Sequence, residues 1–437
     1  MIMMDRASGF TTALACAICM GAAGVADINP ACYDAEEVTH DESGTLLPAA
    51  MDDTGRITGT LDGSVDRMVV HADGGITTIV TMFPESEGQL LNDVGQAAGL
   101  GSTGVGQNDR IIRVDADGSV QFLAVVTGSG GWSSLLDMND AGSIVGNYSG
   151  GSGSSDWQAF VWTDADGLTF IEPTADTTYA RAIDDDDRVA GMVQTDGSYH
   201  AMLWDDGVLI DLHDELELTG SSSAWAFDPA GRVLVSAGPN YFWHDRSDGS
   251  TETVHVFPSG STLLRNRVAG NGVIGFSWMF GGIPYAGRWM PDGGFESIVI
   301  EKPAISFDIS DINDAGHMTA TSFMLPTYDR VAMLWADGGQ VIDLESFLEY
   351  DPLSSVPICI NDAGKVLMSG NEYWLLHPRC QGDLDGNGAV NVGDLLLVIA
   401  SWGTDGGGVC EADADGSGSV NVTDLLLVIA AWGSSCN

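Results

Sequence analysis

ARAIDDDDRVAGMVQTDGSYHAMLWDDGVLIDL, residues 180–212, is the stretch from which the architecture of this chain can be read. It holds four short runs of strand-forming character, Ala180–Ile183, Arg188–Val193, His200–Trp204 and Val208–Leu212, separated by Asp/Gly clusters that suit tight turns. Four strands joined by turns predict one antiparallel sheet, and a sheet of this size cannot hide both faces alone. Repetition around an axis removes that difficulty, because each sheet then covers its neighbour.

Loose copies of the stretch fill residues 27–379. Their first landmark is a turn of the form Asn/Asp-Asp-x-Gly ahead of a short apolar run. It occurs at Asp52–Gly55, Asn92–Gly95, Asn139–Gly142, Asn313–Gly316 and Asn361–Gly364, with degenerate copies at Asp184–Asp187, Asp228–Gly231 and Gly270–Gly272. The spacing, roughly 40 to 48 residues, is that of a four-stranded propeller blade. A second landmark is a tryptophan at the end of an apolar run: Trp162, Trp204, Trp243, Trp289, Trp335 and Trp374. Large rings at one repeat position predict filler for the wedge between blades. The turn acids read first as turn formers, since Asn and Asp cap their own backbone and Gly supplies positive φ. The expectation is a mainly-β body, a propeller of seven or eight four-stranded blades.

At 437 residues the chain exceeds one ordinary core. Its net charge is -46, from Lys+Arg 16 against Asp+Glu 62, with Lys302 and Lys365 the only lysines. A field of that sign argues against nucleic acid and anionic lipid as partners. Residues 1–26 combine Arg6, an apolar run with Leu14 and Ile18, and small residues at Gly24 and Ala26, the make-up of a cleaved secretory signal. No transmembrane segment is expected after cleavage. Cys16 and Cys19 leave with the signal, so Cys32, Cys359, Cys380, Cys410 and Cys436 remain for an oxidising compartment. The odd number leaves one thiol over. By position, Cys32 with Cys359 would tie the ends of the repeat body, and Cys410 with Cys436 would bracket the last helix.

Gln158-Ala159-Phe160, His200-Ala201-Met202 and Val331-Ala332-Met333 each lead to a Trp and then to an Asn/Asp-Asp-x-Gly turn. This pattern resembles the HAF-type extracellular repeat family over residues 46–376. The resemblance implies a secreted, propeller-like body and leaves its molecular role open. Catalytic residues do not stand out. The histidines are scattered, with His200 in a repeat position, and no Gly-x-Ser-x-Gly elbow, His-Glu-x-x-His pair or phosphate loop occurs in the right setting. Carboxylates are too numerous for a glycosidase pair to be singled out.

Residues 380–437 change character. CQGDLDGNGAVNVGDLLLVIASWG starts at Cys380 and CEADADGSGSVNVTDLLLVIAAWG at Cys410. Each copy opens as an EF-hand-like calcium loop. Asp383, Asp385 and Asn387 take the first, third and fifth positions, Gly388 the sharp turn, Ala389 a carbonyl, Asn391 the ninth position and Asp394 the twelfth. Asp413, Asp415, Ser417, Ser419, Asn421 and Asp424 repeat the set. Oxygen-only ligands select a hard cation, and a count of six or so favours calcium, two ions in all. Val390 and Val420 are expected between the loops. The following apolar runs end at Trp402-Gly403 and Trp432-Gly433, too short to span a membrane. Two such helices are expected to pack face to face and hide their leucines.

Residues 381–433 resemble the type I dockerin. The resemblance implies calcium at Asp383, Asp385, Asn387, Asn391 and Asp394 and at Asp413, Asp415, Ser417, Asn421 and Asp424. It also implies a cohesin-like partner contacting Val392, Gly393, Val422 and Thr423, where the family carries Ser-Thr pairs. The expected protein is a secreted, non-catalytic binding or scaffold propeller, held in an extracellular or cell-surface assembly by a calcium-dependent module, with a glycan among its candidate ligands. One alternative is a polysaccharide hydrolase or lyase, which channel acids that break the repeat would favour. Another is a structural surface protein whose terminal module is a calcium-dependent cap.

Overall fold

The structure, a computed structural model, describes residues 28–434 apart from 40–41, 43, 64, 73–74, 84, 103–108, 127–131, 151–156, 172–176, 299–303, 325–328, 337–340, 349–354, 371, 381, 405–411 and 415–418, and apart from the side chains of 28–32, 305, 329 and 380. The signal read at 1–26, with Cys16 and Cys19, therefore lies outside the described residues, as do Cys410 and Cys436. Two compact units emerge, 30–378 and one that contains 379–437.

The larger unit is a propeller of eight four-stranded sheets. Blade four is the stretch quoted at the outset, with strands Thr178–Ile183, Val189–Thr195, Ser198–Asp205 and Val208–Asp211, each within two residues of its expected ends. All three of its pairings are antiparallel. Leu212 leaves the sheet to begin a short helix, α1 (Leu212–Glu215). In the turn after the first strand, Asp187 takes the left-handed conformation, φ 61°, that Gly142 and Gly316 take in blades three and seven.

Such a turn follows the first strand of every blade, which settles the count at eight. The turns also bind the blades to one another. Asn92 Nδ2 donates to Asn139 O (2.9 Å), Asn139 Nδ2 to Asp184 O (2.8 Å) and Asn313 Nδ2 to Asn361 O (3.0 Å). Asn361 Nδ2 donates to Asp52 O (2.9 Å) and so joins blade eight to blade one. The neighbouring carboxylates are used in the same way: Asp362 Oδ1 accepts the Asp314 N–H (2.7 Å) and Asp53 Oδ1 the Asp362 N–H (2.9 Å). The tryptophans fill the wedges as expected. Trp162, Trp243, Trp289 and Trp335 are buried, and Trp204 and Trp374 are half-buried against cores shared by blades three and four and by blades seven and eight. Burial of a ring such as Trp243 contributes about 3 kcal/mol.

Blade eight takes three strands from residues 356–380 and its outer strand, Ile28–Glu37, from the other end of the chain. This arrangement corrects the expected Cys32–Cys359 bridge. Cys359 lies on the innermost strand and Cys32 on the outermost, with two strands between them. Three inter-strand steps amount to about 14 Å, beyond the Cα separation of about 7 Å that a disulfide tolerates. Cys359 is a free thiol. The strand itself ties the ends: Tyr33 Oη donates to Gly364 O (3.1 Å), and His377 Nε2 lies 3.0 Å from the Glu36 carboxylate.

The smaller unit contains two nine-residue helices, α2 (Val392–Ala400) and α3 (Val422–Ala430). Among the described residues no helix is long and apolar enough to cross a membrane. Asn391 and Asn421 are the N-caps, and Asp394 and Asp424 return the bond to the cap N–H groups at 2.7 Å each. Gly403 and Gly433 follow the helices in the left-handed region and donate their N–H groups to Val420 O and Val390 O, both 2.9 Å. Each loop therefore pairs with the segment after the other helix, and Val390 and Val420 are buried in the shared core.

The leucines behave differently from the expectation. Val398 and Val428 are fully buried and Leu395 and Leu425 partly so, yet Leu396 and Leu426 are each 57% exposed, and Ile399 and Ile429 are 54% and 50% exposed. The core is built with loop residues such as Leu384, Ala412 and Ala414, so one stripe of each helix suffices to close it. The remainder of each uninterrupted apolar run faces outward.

Candidate functional site

The first acidic loop gathers part of the ligand set read from the sequence. One carboxylate oxygen from each of Asp383, Asp385 and Asp394 lies within 4.8 Å of the others. Asp383 and Asp394 are buried and Asp385 is exposed. Burial and then the nearby Asp394 and Asp385 charges push the Asp383 carboxyl above its ordinary range, while the Gly388 and Asn387 N–H groups pull the other way. Desolvated like charges held this close favour a bound cation. Asn387, Ala389 and Asn391 are tied to one another instead: Asn391 Nδ2 donates to Ala389 O (2.8 Å) and to Asn387 Oδ1 (3.2 Å). Both Asp394 oxygens accept backbone N–H groups, from Leu384 and Asp385 on one side and Asn391 on the other. Oδ1 thus has both lone pairs engaged while Oδ2 keeps one, and the donor set is all oxygen, which fits a hard cation.

The second loop repeats what is described of it. Asp413 and Asp424 are buried, and Asn421 Nδ2 donates to Ser419 O (2.8 Å) as Asn391 does to Ala389. Asp415 and Ser417 lie outside the described residues. Of the residues expected at a partner surface, Val392, Val422 and Thr423 are exposed and Gly393 is half-buried. Val392 heads an outward stripe with Leu396, Ile399 and Trp402, and Val422, Leu426, Ile429 and Trp432 repeat it. Offsets of four, seven and ten residues place each set along one side of its helix.

In the propeller a cavity of about 1040 Å³ opens on the first strands of blades two to six. Its acids belong to the repeat. Asp137 Oδ2 accepts the Ile183 N–H (2.9 Å), and Asp311 Oδ2, at the matching bulge of blade seven, accepts the Ile360 N–H (3.0 Å). Burial pushes each carboxyl up to about 6 despite these bonds. Asp184 and Asp228 pair with Arg188 and Arg232. Two cations line it as well: Arg181 lies 3.7 Å over the Trp225 ring and donates to Ser223 Oγ (3.1 Å), and Arg267 donates to Ser310 O (2.7 Å), the pKa of each lowered by burial.

A second group that could hold a metal was not foreseen. His200, His213 and Asp214 in blade four each bring one ligand atom within 4.8 Å of the others. The signal available in the sequence was a departure at one repeat position: His200 stands where blades three and seven have Gln158 and Val331. His213 and Asp214 follow in α1, outside the repeat pattern.

Eight closed blades with a capped loop–helix pair define a β-propeller protein that carries a separate terminal module. That module is a dockerin: residues 381–431 match the dockerin type I domain. The search of curated proteins returned no match to this chain. Among solved structures, the β-propeller domain of the Trilobed protease from Pyrococcus furiosus is similar at 11% identity and TM-score 0.45, over 71% of this chain and 97% of that one. Porphyromonas gingivalis dipeptidyl peptidase 4 is similar at 10% identity and TM-score 0.46, over 73% and 56%. Virginiamycin B lyase from Staphylococcus aureus follows at 12% and 0.40, over 69% and 98%. Similarity of this order assigns no activity to this chain.

Proposed function

We propose that this is a secreted, non-catalytic binding propeller of the HAF-type repeat kind, fastened to a cohesin-like partner in an extracellular or cell-surface assembly by a calcium-dependent dockerin. The observation that carries the reading is the terminal module. Three carboxylates converge in its first loop, and the helix that follows leaves Val392, Leu396, Ile399 and Trp402 uncovered. Calcium at the two loops, held by Asp383, Asp385 and Asp394 and by their counterparts Asp413, Asp415 and Asp424, would fix the entry of each helix. The paired apolar stripes would then meet the partner. In the propeller, Arg181 on Trp225 beside Tyr179 and Asn147 offers a stacking and hydrogen-bonding wall suited to a glycan. Of the acids lining the cavity, Asp137, Asp184 and Asp228 are tied to backbone or arginine, as suits a wall that binds.

Calorimetric titration of the full chain with calcium, followed by a cohesin-type partner, tests the reading. Two ions per chain, with partner binding that a chelator abolishes, is the expected result. Partner binding indifferent to the chelator would overturn it.

A further inference from the structure

We propose that the propeller cavity takes a carboxylate-bearing sugar, its acid group on Arg181 and its ring on Tyr179; this refines the glycan reading above and rests on it. Arginines elsewhere in the propeller meet carboxylates, as Arg113, Arg188, Arg232 and Arg288 meet Asp115, Asp184, Asp228 and Glu296. Arg267, the other cation of the cavity, donates to Ser310 O and feels the charges of Asp311 and Asp308. Arg181 has no carboxylate partner among the described residues, in a chain whose acids outnumber Lys+Arg by 62 to 16. Its Nε donates to Ser223 Oγ (3.1 Å), Nη2 has only Met192 Sδ at 4.0 Å, and Nη1 has no partner among the described residues. Trp225 carries the guanidinium and is itself fixed by an Nε1–H bond to Ser236 Oγ (2.8 Å). A guanidinium held over a ring in this way offers its Nη edge as a fork, which a carboxylate meets with both oxygens.

A second donor at the same level is unmet. Arg181, Trp225 and Asn266 each stand three residues before the residue whose carbonyl closes the turn, Asp184, Asp228 and Ala269, and all three line the cavity. Asn266 is 9% exposed, and its Nδ2 is buried without a partner. A buried donor left open beside a cation left open calls for a charged acceptor. The cavity is also polarised. Asp93, Asp140 and Asp185 line its turn end, where burial and then Asp53, Asp140, Asp362 and Asp52 push the Asp93 carboxyl up to about 6. The remaining acids of the wall are engaged, Asp137 by the Ile183 N–H and Asp184 and Asp228 by arginines. At the opposite end Tyr179 begins a run of rings, with Trp157 at 6.1 Å and Tyr199 at 6.2 Å. Tyr179 and Arg181 are two residues apart, about 7 Å along the strand. An acidic sugar entering from the ring end can therefore stack and pair together, and the turn end repels it.

The test titrates the full chain calorimetrically with trigalacturonate, its methyl ester and the neutral galactose trimer, in chelator so that calcium cannot bridge acid to acid. The free acid should bind about tenfold or more tighter than the other two, the scale of a hydrogen bond to a charged group. Arg181→Gln should abolish the preference. Because that variant also uncovers Trp225, Asn266→Asp, which keeps the stacked pair, is measured beside it and should weaken binding of the acid alone. Equal affinity for acid and ester, or for the wild type and a folded Arg181→Gln, would overturn the inference and leave the glycan reading standing. Binding of none of the three sugars would overturn both.

Discussion

The turn Asn139-Asp140-Ala141-Gly142 and the loop Asp383 to Gly388 are written in nearly the same letters, and the molecule uses them in opposite ways. In the propeller turn, Asn139 Oδ1 accepts the Ser143 N–H (2.9 Å), and its Nδ2 reaches the next blade. The polar groups are spread around a ring and each meets a donor or acceptor fixed by the repeat. In the terminal loop the acids alternate along a tight reversal, so their oxygens converge on one another. The two differ in whether the polar groups are spread from blade to blade or gathered within reach of one another, and acid content does not decide which.

Removing one member from each kind of turn sharpens the contrast. Asp394→Ala should abolish the first calcium, and with it the stabilisation that calcium provides, about 4 kcal/mol at a thousandfold excess over its dissociation constant. The gain in helix content of the module on adding calcium would then be smaller than in the wild type, since only the second loop still binds. Asn361→Ala removes the bonds to Asp52 O and Asp53 O that join blade eight to blade one and strands the Lys365 N–H, which Asn361 Oδ1 accepts at 2.8 Å. It should cost the propeller about 2 kcal/mol in urea unfolding, equally with and without calcium. A calcium-dependent cost at Asn361 would erase the distinction between the two regions.

Protons separate the regions by a smaller amount. Asp137 and Asp311 are pushed up to about 6 by burial, so folding takes up protons where the unfolded chain, titrating near 4, has released them. Their contribution to stability is full below about pH 4 and is lost as pH rises to about 6. The propeller melting temperature should therefore fall across that window, and Asp137→Asn should flatten the fall. The smallest effect on stability belongs to the outward stripes. Leu396→Ser with Leu426→Ser should change unfolding by no more than about 0.5 kcal/mol, while partner capture, followed by surface plasmon resonance, is lost.

The propeller was legible because its signals are local and repeated: a turn at the first hairpins and a tryptophan at a fixed strand position, the latter in blades three to eight only, marked the repeat, but the degenerate turns left seven and eight unseparated. Residues 269–272 of blade six carry no Asn/Asp-Asp-x-Gly letters, yet the Gly272 N–H still closes the turn on Ala269 O (3.0 Å). The convergence of Asp383, Asp385 and Asp394 in the first loop was legible from spacing. The outward face of α2 and α3 was not, because an unbroken run such as Leu395–Ile399 does not mark which side is covered. Nor was the pairing of His200 with His213, which depends on Asp211 turning the chain back over the sheet. The failed Cys32–Cys359 bridge has a related cause. Both residues do belong to the blade that joins the ends of the propeller, and strand order, which spacing cannot report, sets them apart.

The outer strand of blade eight also governs how the protein can be made. Ile28–Glu37 is synthesised before any blade, and its partner strand, Tyr373–Cys380, after all the others. Blades one to seven can pair as they emerge, whereas the first strand must wait unpaired through most of synthesis, with its hydrogen-bonding edge open to strangers. Closure is then a single late event with the whole propeller as its loop. A chain halted before residue 373 would present two bare edges.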